Sequence, residues 1–215
     1  MKALALAMVL LLAFPVPLFS ASPSPSEETV LVSGFEPFDR WDSNPSGELA
    51  HALNDTMLGD VHVVGVVLPV SFEDAYPRLR MALDRYSPSA VIALGLDGSA
   101  RAIEVERMAV NLEHPFMFGF SFVNGSGPLL RHTRLPTSAI LAALHDDGVD
   151  ARRSWFAGLY VCNHVFYRLL GNAARRDVSA GFIHVPPLSS QEPSGMPFDV
   201  MLRGIRTAVN VTVAS

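Results

Sequence analysis

The residue best placed to do chemistry is Cys162, the only cysteine in the 215-residue chain. It lies in GLYVCNHVFYRLL (158–170), just after Gly158 and at the head of an apolar-periodic stretch that predicts a helix. A helix N-terminus stabilises a thiolate, and its backbone N–H groups could hold the oxyanion of an acyl-transfer reaction. The alternative is an inert core residue, because free cysteine is among the most buried residue types.

A thiolate nucleophile needs an imidazole beside it. His164 is nearest to Cys162 in sequence, but residues two apart on a helix point to different sides, so we interpret His164 as a surface or packing residue. His184 follows an apolar run and precedes two prolines after Val185, which places it near the end of a predicted buried strand. A histidine satisfied within the core is the alternative interpretation of His184.

A catalytic imidazole also needs a group that orients it. Two carboxylates lie in the alternating segment IEVERMAVN, namely Glu104 and Glu106. Glu106 shares its predicted strand face with apolar residues, and a buried carboxylate requires a partner. That partner could instead be a nearby arginine, such as Arg107 or Arg101. The pattern alone does not choose between Glu104 and Glu106.

These residues must be positioned by alternating strands and helices. Strands are predicted at 29–35, 61–70, 90–96, 101–112 (a strand or hairpin), 152–156 and 179–187, helices at 44–53, 72–86, 135–148, from Cys162 onward and at 198–209, and a loop at 113–134. Buried strands alternating with helices predict an α/β domain whose mainly parallel sheet is covered by helices on both faces. Ligands in such sheets bind beyond the C-terminal strand ends, the predicted location of Phe35, Phe38, Leu96, Cys162 and His184.

Composition narrows the function classes. The chain is 49% hydrophobic and 17% charged, with a net charge of −5 and no basic run, which indicates a globular protein and argues against nucleic-acid binding. One cysteine can form neither an intrachain disulfide nor a cysteine-based zinc site. There is no P-loop, dinucleotide fingerprint or H-E-x-x-H motif. We therefore expect a site without a metal or cofactor.

The N-terminal segment differs from the rest. Residues 1–21 begin with Lys2, run apolar through Phe14 and end in small residues, the order of a secretory signal peptide, with an uncleaved anchor as the alternative. Residues 22–28 are then predicted to form a linker, and residues 29–215 are predicted to form the α/β domain. The expected location is outside the cell, either secreted or anchored to a membrane.

Four blocks in order resemble the motifs of pyroglutamyl-peptidase I, also called pyrrolidone-carboxylate peptidase. GFEPFDRWDSNPS (34–46) resembles the family's opening, and GLDGSARAIEVERMAVN (95–111) resembles the segment that ends in E-R-x-A-x-N. AGLYVCNHVFY (157–167) is similar to the nucleophile block, and GFIHVP (181–186) to the F-[IL]-H-[VI]-P block.

The resemblance implies a single α/β domain with a twisted central sheet, of the phosphorylase/hydrolase-like kind. It also implies a triad of Cys162, His184 and Glu106, and so selects Glu106 over Glu104. The implied substrates are N-terminally pyroglutamylated peptides. The thiolate would attack the carbonyl after the lactam ring, the imidazole would protonate the leaving amine, and water would hydrolyse the acyl-enzyme to release 5-oxoproline.

The resemblance further implies a set of substrate-binding residues: Phe35, Phe38, Asn44, Leu96, Tyr160 and Val161. A small, flat, uncharged lactam suits an apolar slot lined by aromatic rings. Asn44 would support the loop, and Leu96 would read the lactam N–H through its backbone carbonyl. The alternative for Phe35 and Phe38 is hydrophobic packing of a loop.

The chain departs from the family in three places. The usual loop sequence is replaced within residues 113–134, a segment that in the family often covers the substrate and assembles a homo-oligomer. Arg101 stands one position later than the family's arginine, and one residue's slip in a strand reverses the face of a side chain. Most relatives are cytosolic. The alternative function is therefore a non-catalytic exported binding protein for pyroglutamyl ends or 5-oxoproline.

Overall fold

The structure is a computed structural model that describes residues 28–115 and 119–215. The predicted signal peptide or anchor (1–21) lies outside these residues, as does the predicted linker apart from Glu28, which already belongs to the first strand. Across the two described ranges, no helix is long and apolar enough to cross a membrane.

Strands and helices alternate as predicted over most of the described chain. The strands are β1 (Glu28–Phe35), β2 (Thr56–Leu58), β3 (Val61–Leu68), β4 (Ala90–Leu96), β5 (Ile103–Glu106), β6 (Met108–Val110), β7 (Leu130–His132), β8 (Ala151–Ser154) and β9 (Ser179–Val185). The helices are α1 (Pro45–Leu53), α2 (Ala75–Tyr86), α3 (Thr137–Asp146), α4 (Val161–Arg176) and α5 (Phe198–Val213). Two short strands were not predicted, β2 and β7.

The central sheet has the strand order β2-β3-β1-β4-β9-β5-β8 within the described residues. Strands β3, β1, β4 and β9 run parallel, which confirms the predicted mainly parallel sheet. Strands β5 and β8 are parallel to each other, but β5 is antiparallel to β9. A parallel crossover needs about a dozen residues or more, whereas only residues 97–102 connect β4 to β5. This short connection carries no helix, so the chain returns in the opposite direction.

The two faces of the sheet carry separate cores, set by the two-residue alternation of each strand. Helices α1, α3 and α5 pack on one face, against side chains such as Ile103, Val105 and Ile183. Helices α2 and α4 pack on the other face, against side chains that include Phe182. His184 follows Phe182 by two residues, so the alternation places it on the α2/α4 face. The alternation likewise puts the side chains of Glu104 and Glu106 on that face.

The segment predicted as one strand or hairpin over 101–112 is divided between two sheets. Arg101 lies in an exposed bend before β5, so the prediction that a one-residue slip reverses its strand face is wrong. After β5, the chain leaves the central sheet at Arg107, and β6 pairs with β7 in a separate two-stranded sheet. Part of the predicted 113–134 loop is therefore ordered as a strand.

Candidate active site

The start of helix α4 presents Cys162 at its first turn. Gly158 has φ +77°, a left-handed conformation that L side chains rarely adopt, and it turns the chain sharply before the helix. Tyr160 is the N-cap in extended conformation and supplies no side-chain hydrogen bond to the helix. Cys162 is half-buried and is the second helical residue, so its thiol lies close to the positive end of the helix dipole.

Gly95 allows the thiol to approach strand β4. A Cβ atom built on Gly95 would lie 2.9 Å from the Sγ of Cys162 and 2.8 Å from the Cζ of Phe182, both shorter than real side chains tolerate. Gly95 pairs with His184 across β4 and β9. Because Gly95 has no side chain, the Sγ of Cys162 has room to lie against β4, next to the strand β9 that carries His184.

The imidazole of His184 is held by a buried carboxylate. Its Nδ1 lies 2.8 Å from the Oε1 of Glu106, which is completely buried, and His184 itself is 5% exposed. Burial alone would lower the pKa of His184. Hydrogen bonding and charge from Cys162 and Glu106 outweigh burial and raise this pKa to about 10. The structure thus brings together the three residues predicted as a triad, and the environment favours the imidazolium.

The second carboxylate, Glu104, has a different partner. Its Oε1 accepts a hydrogen bond of 2.8 Å from the Nε of Arg152 and a second from the same guanidinium group. Arg107, the alternative partner considered for Glu106, instead donates to the Oγ1 of Thr137 at 2.6 Å. Among the described residues, Glu106 forms its ion pair with His184 and with no arginine, so the alternative of an arginine salt bridge to Glu106 is wrong.

The ligand atoms of Glu104, Glu106 and His184 lie within 4.8 Å of one another, a spacing that could suit a metal ion. All three side chains already have protein partners, because the imidazole binds Glu106 and the guanidinium of Arg152 binds Glu104. Among the described residues, the buried Oε2 of Glu106 has no hydrogen-bond partner. The arrangement is accounted for as an oriented imidazole beside an ion pair.

An open cleft of about 780 Å³ lies beside the N-terminus of α4. Phe38 and Tyr160, two of the predicted substrate-binding residues, line it. The ring of Tyr160 is fixed edge-on against Phe72, with ring centroids 5.2 Å apart. Phe35 does not line this cleft, because its ring is 3% exposed and packs in the core under α2 and α4. For Phe35 the packing alternative describes the side chain.

The other predicted binding residues are buried supports. Asn44 caps α1 by accepting from the backbone N–H of Ser46 at 3.1 Å, and its Nδ2 donates to the carbonyl of Glu36 at 3.0 Å. It thereby ties the loop that carries Phe38 to the helix. The side chains of Leu96 and Val161 are buried in the core.

Asn163, next to the thiol, was not predicted to have a role. Its Oδ1 accepts from the N–H of Val110 at 3.0 Å, while its Nδ2 donates to the carbonyls of Val110 and Leu112 at 2.9 and 2.8 Å. These bonds fasten α4 to β6. A buried amide can bond backbone groups distant in sequence, but sequence spacing does not reveal which ones. The only available signal was its position beside Cys162 in the nucleophile block.

His164 lies away from the triad, as predicted from helix geometry. Its Nδ1 contacts the Oε2 of Glu113 at 2.5 Å, and its ring packs edge-on against Phe72. Burial lowers the pKa of His164 despite the neighbouring carboxylate. It is a buried packing residue and not the surface residue that was the other expectation.

Comparison with known proteins agrees with this site. The model of the family described as pyroglutamyl peptidase matches residues 28–215. The chain is 39% identical over 171 residues to a pyrrolidone-carboxylate peptidase of Yersinia pestis (strain Pestoides F), covering 75% of this chain and 80% of the relative. A solved pyrrolidone carboxyl peptidase from Thermococcus litoralis superposes with a TM-score of 0.83 at 32% identity, covering 87% of this chain and 94% of that one. A solved pyroglutamyl peptidase I from Bacillus amyloliquefaciens superposes with a TM-score of 0.83 at 30% identity, covering 88% of this chain and 98% of that one.

Proposed function

Because this chain belongs to the pyroglutamyl peptidase family of cysteine peptidases, we propose that it removes the N-terminal pyroglutamyl residue from peptides through a triad of Cys162, His184 and Glu106. The observation that carries the proposal is the buried hydrogen bond of 2.8 Å between Glu106 and His184, on a ring that is also coupled to the thiol at the start of α4.

In the proposed acylation step, the thiolate of Cys162 attacks the carbonyl carbon that follows the lactam ring. Backbone N–H groups in the first turn of α4 stabilise the resulting oxyanion. The C–N bond then breaks, and the imidazolium of His184 donates its proton to the leaving amine. The products of this step are a thioester on Cys162, a shortened peptide and a neutral imidazole.

Deacylation reverses the proton transfer. The neutral imidazole of His184 takes a proton from water, whose oxygen attacks the thioester carbonyl. Collapse of the second tetrahedral intermediate breaks the C–S bond, releases 5-oxoproline and restores the thiolate–imidazolium pair. Glu106 keeps Nδ1 bonded throughout, so Nε2 is the atom that exchanges the proton.

The cleft beside α4 suits the acyl group of this substrate. A pyroglutamyl ring is uncharged and largely apolar, and Phe38 and Tyr160 offer aromatic surface in the cleft at the start of α4. We propose that the carbonyl of Leu96, at the end of β4, accepts the lactam N–H. Asn44 then acts on substrate only indirectly, because its amide supports the loop that carries Phe38.

The alternative of a non-catalytic binding protein is not favoured, because such a protein would tolerate loss of triad residues, whereas here all three are present and His184 contacts both of the others. The test is hydrolysis of a pyroglutamyl fluorogenic amide under reducing conditions by the parent and by Cys162→Ala. The proposal requires activity in the parent that the variant lacks. An inactive parent whose melting temperature rises with 5-oxoproline would instead support the binding protein.

A further inference from the structure

A second carboxylate faces the proposed catalytic imidazole. Glu104 is 6% exposed and stands directly opposite His184 in the β5–β9 pairing. On its other side it stands opposite Arg152 in the β5–β8 pairing. Strand register therefore fixes one row of three charged or chargeable side chains on the same face of the sheet.

The distances in this row are short enough for strong electrostatic coupling. One carboxylate oxygen each of Glu104 and Glu106 and a ring nitrogen of His184 all lie within 4.8 Å of one another. The guanidinium of Arg152 holds Glu104 through two donors, yet 62% of the Arg152 side chain is exposed. Solvent screens the exposed guanidinium of Arg152 more than the buried carboxylate of Glu104. The guanidinium therefore offsets only part of the electrostatic field that this carboxylate exerts on the imidazole.

We propose that Glu104, held by Arg152, is a positioning residue that stabilises the imidazolium of His184 and so extends activity to higher pH. The inference rests on the proposed function, because it assigns the imidazolium a role in turnover. Glu104 itself does not touch the substrate in this scheme. It acts through the histidine, and Arg152 sets how much of its charge the histidine experiences.

Other groups also act on the ring. Glu106 approaches from β5 and Cys162 from α4, and both favour the charged imidazole. Asp97, in the turn after β4, is coupled to His184 by charge; burial opposes its ionisation, but hydrogen bonds from Ser99 and the nearby histidine lower its pKa. Because these groups stay in place when Glu104 is changed, a substitution there alters the ring's charge environment without removing its hydrogen-bond partner.

The test is the pH profile of kcat/KM for a pyroglutamyl fluorogenic amide. The alkaline limit is the pH at which kcat/KM falls on the high-pH side of this profile. Glu104→Gln should lower this limit by about half a pH unit to one pH unit, since a neutral amide no longer stabilises the imidazolium. Arg152→Gln should move the limit upward, because the carboxylate is then uncompensated. Opposite shifts from two halves of one ion pair distinguish an electrostatic role from a structural one, which would affect both variants alike.

Arg153→Gln is the matched control. It removes the same charge from the next residue of β8, whose side chain reaches Ser138 near the start of α3 on the other face. This control should leave the limit unchanged. The inference is overturned if Glu104→Gln keeps the parent's limit, or if Arg153→Gln shifts it as much as Arg152→Gln.

NMR titration of His184 in the same variants makes the comparison without turnover. If the parent proves inactive, the proposed function fails, and the titration still decides whether Glu104 and Arg152 act on the ring. Equal titration midpoints in the parent, Glu104→Gln and Arg152→Gln would refute the inference even in an active enzyme.

Discussion

Gly95→Ala adds a single methyl group at the point where three functional segments meet. The new Cβ would lie 2.8 Å from the Cζ of Phe182 and 2.9 Å from the Sγ of Cys162. Gly95 has no positive φ, so the backbone itself accepts alanine. The whole effect of the substitution therefore comes from its contacts with these two side chains.

Ordinary van der Waals contacts begin at 3.4 Å, so the thiol and the ring must each move by about 0.5 to 1 Å. Phe182 is completely buried, and overpacking of this kind costs about 1–3 kcal/mol of folding free energy. Displacement of a nucleophile by about 1 Å costs roughly 100-fold in rate. We therefore expect Gly95→Ala to lose about two orders of magnitude in kcat/KM while it remains folded at 25 °C.

The assay combines kcat/KM for a pyroglutamyl fluorogenic amide with urea denaturation and the rate of thiol alkylation by iodoacetamide. Gly125→Ala is the control, because a Cβ at Gly125 meets nothing within 4 Å and its backbone needs no positive φ. A Gly95→Ala enzyme with kcat/KM and alkylation rate equal to those of the control would refute the inferred contact between Cys162 and β4.

Four further outcomes are expected. Because the pKa of His184 is raised to about 10, the imidazolium persists through neutral pH, and kcat/KM should decline as the pH rises through about 10. Cys162→Ala should lower the pKa of His184, as followed by NMR, since the cysteine contributes both a hydrogen bond and charge to the shift; an unchanged midpoint would contradict this coupling. Glu106→Gln should reduce kcat by about 10³- to 10⁴-fold with a smaller effect on KM, because the ring loses its orienting charge; a loss below tenfold in steady-state kinetics would count against the triad. Asn163→Ala should destabilise the fold by about 2–4 kcal/mol in urea denaturation, because buried backbone groups of Val110 and Leu112 lose their partners; a change below 1 kcal/mol would mean that water replaces the amide.

Local sequence patterns predicted most elements of the described fold. Continuous apolar runs identified β3 and β4, because strands buried on both faces carry such runs. Gly158 and the periodic stretch after it correctly indicated a sharp turn into α4. The short strand β7 was missed because its three residues carry no period long enough to read, and its pairing partner β6 lies some twenty residues earlier.

The sequence by itself determined which residue types form the site. It also indicated that these residues lie near the ends of strands and helices. It did not choose between Glu104 and Glu106 by pattern, and the family resemblance was needed for that choice. Only the tertiary structure decided that Glu106 contacts His184 while Glu104 contacts Arg152. It also decided that Phe35 is buried and that Gly95 makes room for the thiol. The physical reason is that strand register and direction depend on pairing between segments far apart in the chain, whereas periodicity reports only which face of one element is apolar.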